Sequence, residues 1–151
     1  SYGVTMTKQE AAQAQQRFFR AYPQLQQWQL QQITTARVYG KVRTRTGLVR
    51  DFTTSSGYLE AEACNHPIQG SAGEILLAAL KHLDTKSTGA QLYNHVHDEI
   101  LLDVQADNAE QAAAELERAM VTGFLEIFPE GGGLTNGLVD VKQGRTWAEV
   151  K

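Results

Sequence analysis

At 151 residues the chain is sized for one domain, and a domain of that length buries roughly 70% of its unfolded surface, so its core needs no disulfide or metal staple. A lone cysteine, Cys64, excludes an intramolecular disulfide and points to a reducing, cytoplasmic setting. The net charge of -3 argues against nucleic-acid binding by bulk charge; no apolar run approaches the roughly 20 residues of a membrane span, and Ser1 to Glu10 is too polar for a signal sequence.

Charge is unevenly placed. Arg37, Lys41, Arg43, Arg45 and Arg50 occur with no acid among them, whereas Glu110 to Glu130 is acid-rich, which leaves one basic edge for a phosphate backbone. Ser rather than Met at position 1 fits a piece of a longer chain, and fits processing or a tag remnant equally well.

Thr7 and Glu10 form a capping-box pair, so a helix is predicted from about Lys8, with Ala11, Ala14, Phe18 and Ala21 at helical spacing. Pro23 interrupts it, and a second helix is expected over Gln24 to Arg37. From Tyr39 to Phe52 the β-branched residues Val42, Thr44, Thr46 and Val49 alternate with basic ones, which predicts a basic β-hairpin turning near Gly47. A polar connection, Thr53 to Gly57, leads to a short helix over Tyr58 to Cys64 that ends before Pro67. Ile75, Leu76, Ala79, Leu80 and Leu83 then mark a helix with Pro67 in its first turn.

Ala90 to Val96 and Glu99 to Val104 read as two strands, with His97 and Asp98 at their junction. Asp107 and Glu110 suggest a second capping box, opening a long amphipathic helix through Leu116, Met120, Gly123 and Ile127 to Pro129. Gly131 to Gly133 reads as a loose connection and Leu138 to Val141 as a last strand. The expected class is α+β: an antiparallel sheet packed against several helices, with no internal repeat.

Two segments carry the chemistry. Around His95-Val96-His97-Asp98-Glu99, a tight turn between apolar strands would hold a carboxylate rigidly, as Mg²⁺ requires for phosphoryl or nucleotidyl transfer, and Asp98 is the candidate ligand. Taken singly, Asp98 and Glu99 also read as solvated turn residues. In Asn65-His66-Pro67-Ile68-Gln69-Gly70-Ser71-Ala72, small residues leave the Asn65 and Gln69 amides free to donate to the minor-groove acceptors common to all base pairs. Helix capping by Asn65 is the plainer reading of that segment alone.

In this order the two segments resemble the C-terminal palm of family A DNA polymerases, the bacterial DNA polymerase I type. His97, Asp98 and Glu99 match that family's motif C strand turn, and Asn65, Pro67, Ile68, Gln69, Gly70, Ser71 and Ala72 match its Asn-x-Pro-(Val/Ile)-Gln-Gly-(Thr/Ser)-Ala pattern. Softer matches are Phe19, Tyr22 and Pro23 to a Phe-x-x-Tyr-Pro, Tyr2-Gly3-Val4 as in phage-like members, and Gly144 to Trp147 to a Gly-x-x-Trp near the C-terminus.

The resemblance implies the C-terminal fragment of a right-hand polymerase: one partial domain over 1-151, with 1-38 a helical fingers remnant and 39-151 a palm carrying the basic hairpin. It implies that Asp98 binds a catalytic Mg²⁺, that Glu99 sits beside it and that His97 contacts the primer terminus. Gln69 and Asn65 would face the minor groove and template, with Lys41, Arg43 and Arg45 near the duplex backbone. Implied partners are primer-template DNA, an incoming dNTP in the complete enzyme, and the N-terminal part of the polymerase as a separate chain; no membrane is implied. Ala61 and Leu48 stand where relatives carry Arg, which implies a weaker grip on DNA.

The chain lacks the Asp-Tyr-Ser-x-Ile-Glu strand that supplies the family's second metal carboxylate, and it lacks the Lys-bearing fingers helix. Alone it is expected not to polymerise. Two other readings remain at this point: a non-catalytic duplex-DNA-binding module in which Asp98 is a relic, and a zinc hydrolase built on His95, His97 and Asp98.

Overall fold

The computed structural model describes residues 6–53 and 58–150; Tyr2-Gly3-Val4 and most of the connection after Thr53 lie outside the described residues. Helix α1 spans Lys8–Ala21 and opens on the expected capping box: Glu10 N donates to Thr7 Oγ1 at 3.2 Å, and Thr7 N donates to Glu10 Oε2 at 2.8 Å. Pro23 begins α2, Pro23–Tyr39, at a position where its missing N–H is no loss. Strands β1 (Lys41–Arg43) and β2 (Val49–Asp51) pair antiparallel, with Val42 opposite Arg50. The tip between them turns through Gly47 at φ +101, a conformation that a side chain would strain.

Helix α3 runs from Leu59–His82 without interruption, correcting the expected pair of helices separated before Pro67. Proline inside a helix removes one backbone bond and crowds the carbonyl four residues back. Packing offsets that cost here, because the helix is anchored on both sides of the proline: Ala63 is fully buried in one hydrophobic cluster, and Leu76 and Ala79 are buried in another. Asn65 is therefore inside the helix rather than a cap.

The chain divides into two compact units. Ser1–Arg43 with Val49–His66 forms the first; Thr44–Leu48 with Pro67–Lys151 forms the second. In the first unit Ala36, Val42, Phe52 and Ala63 form the core, with Leu59 packed against it. Helix α1 contributes no buried residue.

In the second unit the short helix α4 (Thr85–Thr88), capped by Asp84, precedes β3 (Gln91–Val96) and β4 (Glu99–Asp103), which form an antiparallel hairpin. Helix α5, Ala109–Ile127, follows a single 3₁₀ turn over Ala106–Asn108. Leu76, Ala79 and Ile100 form the core, joined by Leu80, Leu83, Leu102, Leu116 and Met120. Helices α3 and α5 touch backbone to backbone at Gly123, where a Cβ would stand 2.5 Å from Ala79 N and 2.8 Å from Ile75 O.

Helices with small antiparallel sheets agree with the α+β expectation, although the strands form two separate two-stranded sheets. Three local expectations fail. The Asp107–Glu110 box does not form: Asn108 stands at the N-cap without a side-chain cap, its Nδ2 donating to Thr88 O at 3.1 Å instead. Pro129–Leu134, with its three glycines, winds into a 3₁₀ helix rather than a loose connection. Leu138 to Val141 pairs with no strand among the described residues, and an apolar alternation that short does not hold a strand without a ladder partner. A last short helix, α6 (Trp147–Val150), was not anticipated.

Glu115 stitches this unit together. Its Oε1 accepts from Asp84 N at 2.8 Å, and both its oxygens accept from the Arg118 guanidinium, which also donates to His82 O at 2.8 Å. Hydrogen bonding from Arg118 holds the Glu115 carboxyl below its ordinary range, against an opposing contribution from burial.

A folded-state pKa lower than the unfolded one adds stability that is complete above the unfolded value and is lost as pH falls through the folded value. Urea unfolding should therefore be flat from pH 7 to 5 and weaken below about 4.5, with Glu115→Gln losing about 1 kcal/mol or less at pH 7 and flattening the acid limb. Gly123→Ala should cost more, roughly 1–3 kcal/mol, because two backbones must separate. Calorimetry or urea titration of the two variants measures both.

Candidate active site and nucleic-acid interface

Val96 pairs with Glu99, so His97 and Asp98 are the entire loop of the β3–β4 hairpin. A two-residue hairpin of this kind needs positive φ at its first loop position, usually met by glycine. Here His97 takes it, at φ +56, the left-handed region that costs an ordinary residue about 1–2 kcal/mol. One residue beyond Glu99, Ile100 is buried against Leu76 and Ala79 of α3, so the turn is tethered to that helix two residues from Asp98. A bulge at Tyr93, between the pairs Leu92–Leu102 and Asn94–Leu101, resets the alternation in β3.

His97, Asp98 and Glu99 are exposed, and among the described residues no donor or cation engages the Asp98 carboxylate. A single unengaged hard oxygen ligand on a fixed turn suits Mg²⁺, which commonly takes one or two carboxylates and completes its shell with water and phosphate. It does not suit zinc, which needs three or four protein ligands. Among the described residues no three His, Cys, Asp or Glu side chains converge on one site, and His97, in the turn, does not share a strand face with His95. The zinc-hydrolase reading therefore loses its geometric premise.

Asn65 and Gln69 are exposed on α3. Gln69 precedes Leu76 by two helical turns, roughly 10 Å along the axis, so one rigid helix carries both Gln69 and the tether of the Asp98 turn. In β1, Lys41 and Arg43 are exposed on either side of buried Val42. Arg45, at the hairpin tip, is differently employed: its Nε donates to Ile127 O at 2.9 Å, its Nη2 pairs with Glu130 at 2.7 Å, and its guanidinium lies 4.9 Å from the Phe128 ring centre. Arg50 pairs with Glu62 at 3.0 Å.

Sequence reasoning missed what holds the tip. Thr44 Oγ1 donates to Glu74 Oε1 at 2.8 Å, Thr46 Oγ1 donates to the same oxygen, and Arg45 N donates to Ser71 Oγ at 3.2 Å. Partners 26 to 30 residues apart leave no local signature; the only sequence hint is a Thr-x-Thr tip, which alone identifies no acceptor. Charge is more telling. Eight of the first 50 residues are Lys or Arg against one acid, so the overall -3 conceals a basic stretch that is able to attract phosphate.

Residues 1–149 match the model of DNA polymerase family A. The chain belongs to that family. It is 34% identical over 151 residues to DNA polymerase I of Deinococcus radiodurans, an alignment covering 94% of this chain and 15% of that protein. It is also 31% identical over 133 residues to DNA polymerase I of Aquifex aeolicus, covering 85% of this chain and 23% of that protein. Among solved structures it is similar to the POL domain of Pol1 from M. smegmatis, in complex with DNA primer-template and dNTP, at a TM-score of 0.70 and 25% identity, covering 78% of this chain and 23% of that one. The family A chain thus spans less than a quarter of each of these relatives.

Strain at His97 is measurable. His97→Gly should hold or raise the unfolding free energy, by up to about 1 kcal/mol, whereas a β-branched residue, His97→Val, should lower it by about 1–2 kcal/mol. Chemical denaturation of the three proteins distinguishes these outcomes.

Proposed function

We propose that this chain is the part of a template-directed DNA polymerase that presents Asp98 as the Mg²⁺-binding palm carboxylate for nucleotidyl transfer, completed by residues outside this sequence. The observation that carries the reading is the two-residue turn at His97–Asp98, held to α3 through Ile100 and leaving the carboxylate unengaged among the described residues. In this reading residues 39-151 supply the palm and 1-38 the remnant of the fingers.

A bound Mg²⁺ would supply charge neutralisation at the transferring phosphate. The chain's own residues do the positioning. Asp98 presents an oxygen at a fixed point, Glu99 stands beside it, and His97, held at positive φ, faces the primer terminus. Gln69 and Asn65 offer amides to the N3 and O2 acceptors of the minor groove, which test pair shape without reading sequence. Lys41 and Arg43 meet the duplex backbone, and the basic first third of the sequence favours that side for phosphate. Because Arg45 is committed to Ile127, Glu130 and Phe128, its role is to shape the hairpin rather than to add a phosphate contact.

Primer-template DNA and dNTP accompany the M. smegmatis structure, and the reading extends both to this chain as ligands of the completed enzyme. The test is to mix the chain with a protein supplying the missing acidic strand and fingers helix, then assay Mg²⁺-dependent primer extension. Asp98→Ala should reduce extension by roughly a thousandfold, as loss of several kcal/mol of charge stabilisation implies. Extension indifferent to that change would refute the role, and salt-sensitive duplex binding unaffected by Mg²⁺ and by Asp98→Ala would favour a non-catalytic module.

A further inference from the structure

We propose that Glu74 is a positioning residue that fixes the tip of the basic hairpin onto α3, and so holds that tip in the shape in which the hairpin meets a DNA duplex; this rests on the reading of the hairpin as a duplex-contacting element. The tip, Thr44–Leu48, belongs to the same compact unit as Pro67–Lys151 rather than to that of its own strands. Its backbone closes on itself: Thr44 N donates to Leu48 O at 2.9 Å, Gly47 N donates to Thr44 O at 3.1 Å, and Leu48 N donates to Thr44 Oγ1 at 3.0 Å.

Thr44 Oγ1 in turn donates to Glu74 Oε1, so a single hydroxyl relays the Leu48 amide to the carboxylate. Thr46 adds a second donor to that oxygen, and Ser71, one helical turn before Glu74, accepts from Arg45 N. Helix α3 therefore grips the tip through two side chains on one face, with an anion as the central acceptor; bonds to an ionised acceptor are the stronger kind. The other carboxylate oxygen, Oε2, is buried with no hydrogen-bond partner among the described residues. A half-satisfied buried carboxylate is costly, and the two hydroxyls donating to its other oxygen are what offset that cost here. The same helix holds the Asp98 turn through Leu76 and Ala79, so α3 carries both the hairpin tip and that turn.

Three variants of this chain test the assignment: Glu74→Ala, which removes the acceptor, Glu74→Gln, which keeps an acceptor oxygen, and the milder Thr46→Val. Amide hydrogen exchange and the anisotropy of a fluorescent primer-template duplex at low salt are the two readouts. Glu74→Ala should speed exchange at Gly47 and Leu48 by about tenfold, leave the β3–β4 amides unchanged, and weaken duplex binding by roughly five- to tenfold. Glu74→Gln should recover most of both effects, and Thr46→Val should give a smaller version of both.

Unchanged tip exchange in Glu74→Ala and Thr46→Val overturns the proposal. So does faster exchange with duplex affinity and its salt dependence intact. Wild-type protein with no salt-dependent duplex affinity would sink the reading of the hairpin as a duplex-contacting element, and this inference with it, a result separable from the other two because it appears before any substitution is made.

Discussion

Ile100 seated against Leu76 and Ala79 is the contact from which the second unit is built. It converts a loop-borne carboxylate into one with a fixed address, because a two-residue turn has little freedom once the next residue but one is buried. The backbone of α5 at Gly123 comes up against Ala79 as well, a residue of the same cluster as Ile100. Ala79 thus meets both elements, its backbone against Gly123 and its side chain in the cluster with Ile100. The small buried residues Ala78 and Ala79 are what let a single helix serve as the shared wall.

Charge follows a different logic from packing. The first 50 residues carry nearly all the basic excess, and the acids are concentrated after them. Two acidic groups on α5 serve structure: Glu115 holds Arg118 and the Asp84 amide, and Glu126 accepts from Lys81 and His82. Asp98 is among the carboxylates not spent in this way. The positive φ at His97 is the cost of closing β3 and β4 with only two residues, and it leaves the Asp98 carboxylate exposed at the end of the hairpin.

How much of this was legible in the sequence depends on the range of each interaction. Thr7 and Glu10 are three residues apart and were readable, as was Pro23 at a helix start. The turn at His97 and Asp98 was also readable, because strand alternation and a family pattern agree there. Pro67 misled because its local cost is real, and only the burial of Ala63 on one side and of Leu76 and Ala79 on the other, contributed by residues far along the chain, keeps the helix continuous. The Asp107–Glu110 pair had the right spacing for a cap, yet Asn108 found Thr88, 20 residues away, and the helix began without one.

Arg45 illustrates why a basic stretch is a poor census of phosphate ligands. Five positive residues between 37 and 50 invite the inference that all face DNA. Arg37 pairs with Glu60, Arg50 with Glu62, and Arg45 fastens the hairpin tip to the C-terminal end of α5. A guanidinium that donates to a backbone carbonyl, pairs with a carboxylate and lies over an aromatic ring has most of its directional capacity used. The field of these residues still attracts a polyanion, because charge acts at a distance that hydrogen bonds do not. Their geometry, however, serves the hairpin. A basic stretch therefore counts charge, whereas the partners of each side chain decide which of those charges are committed within the fold.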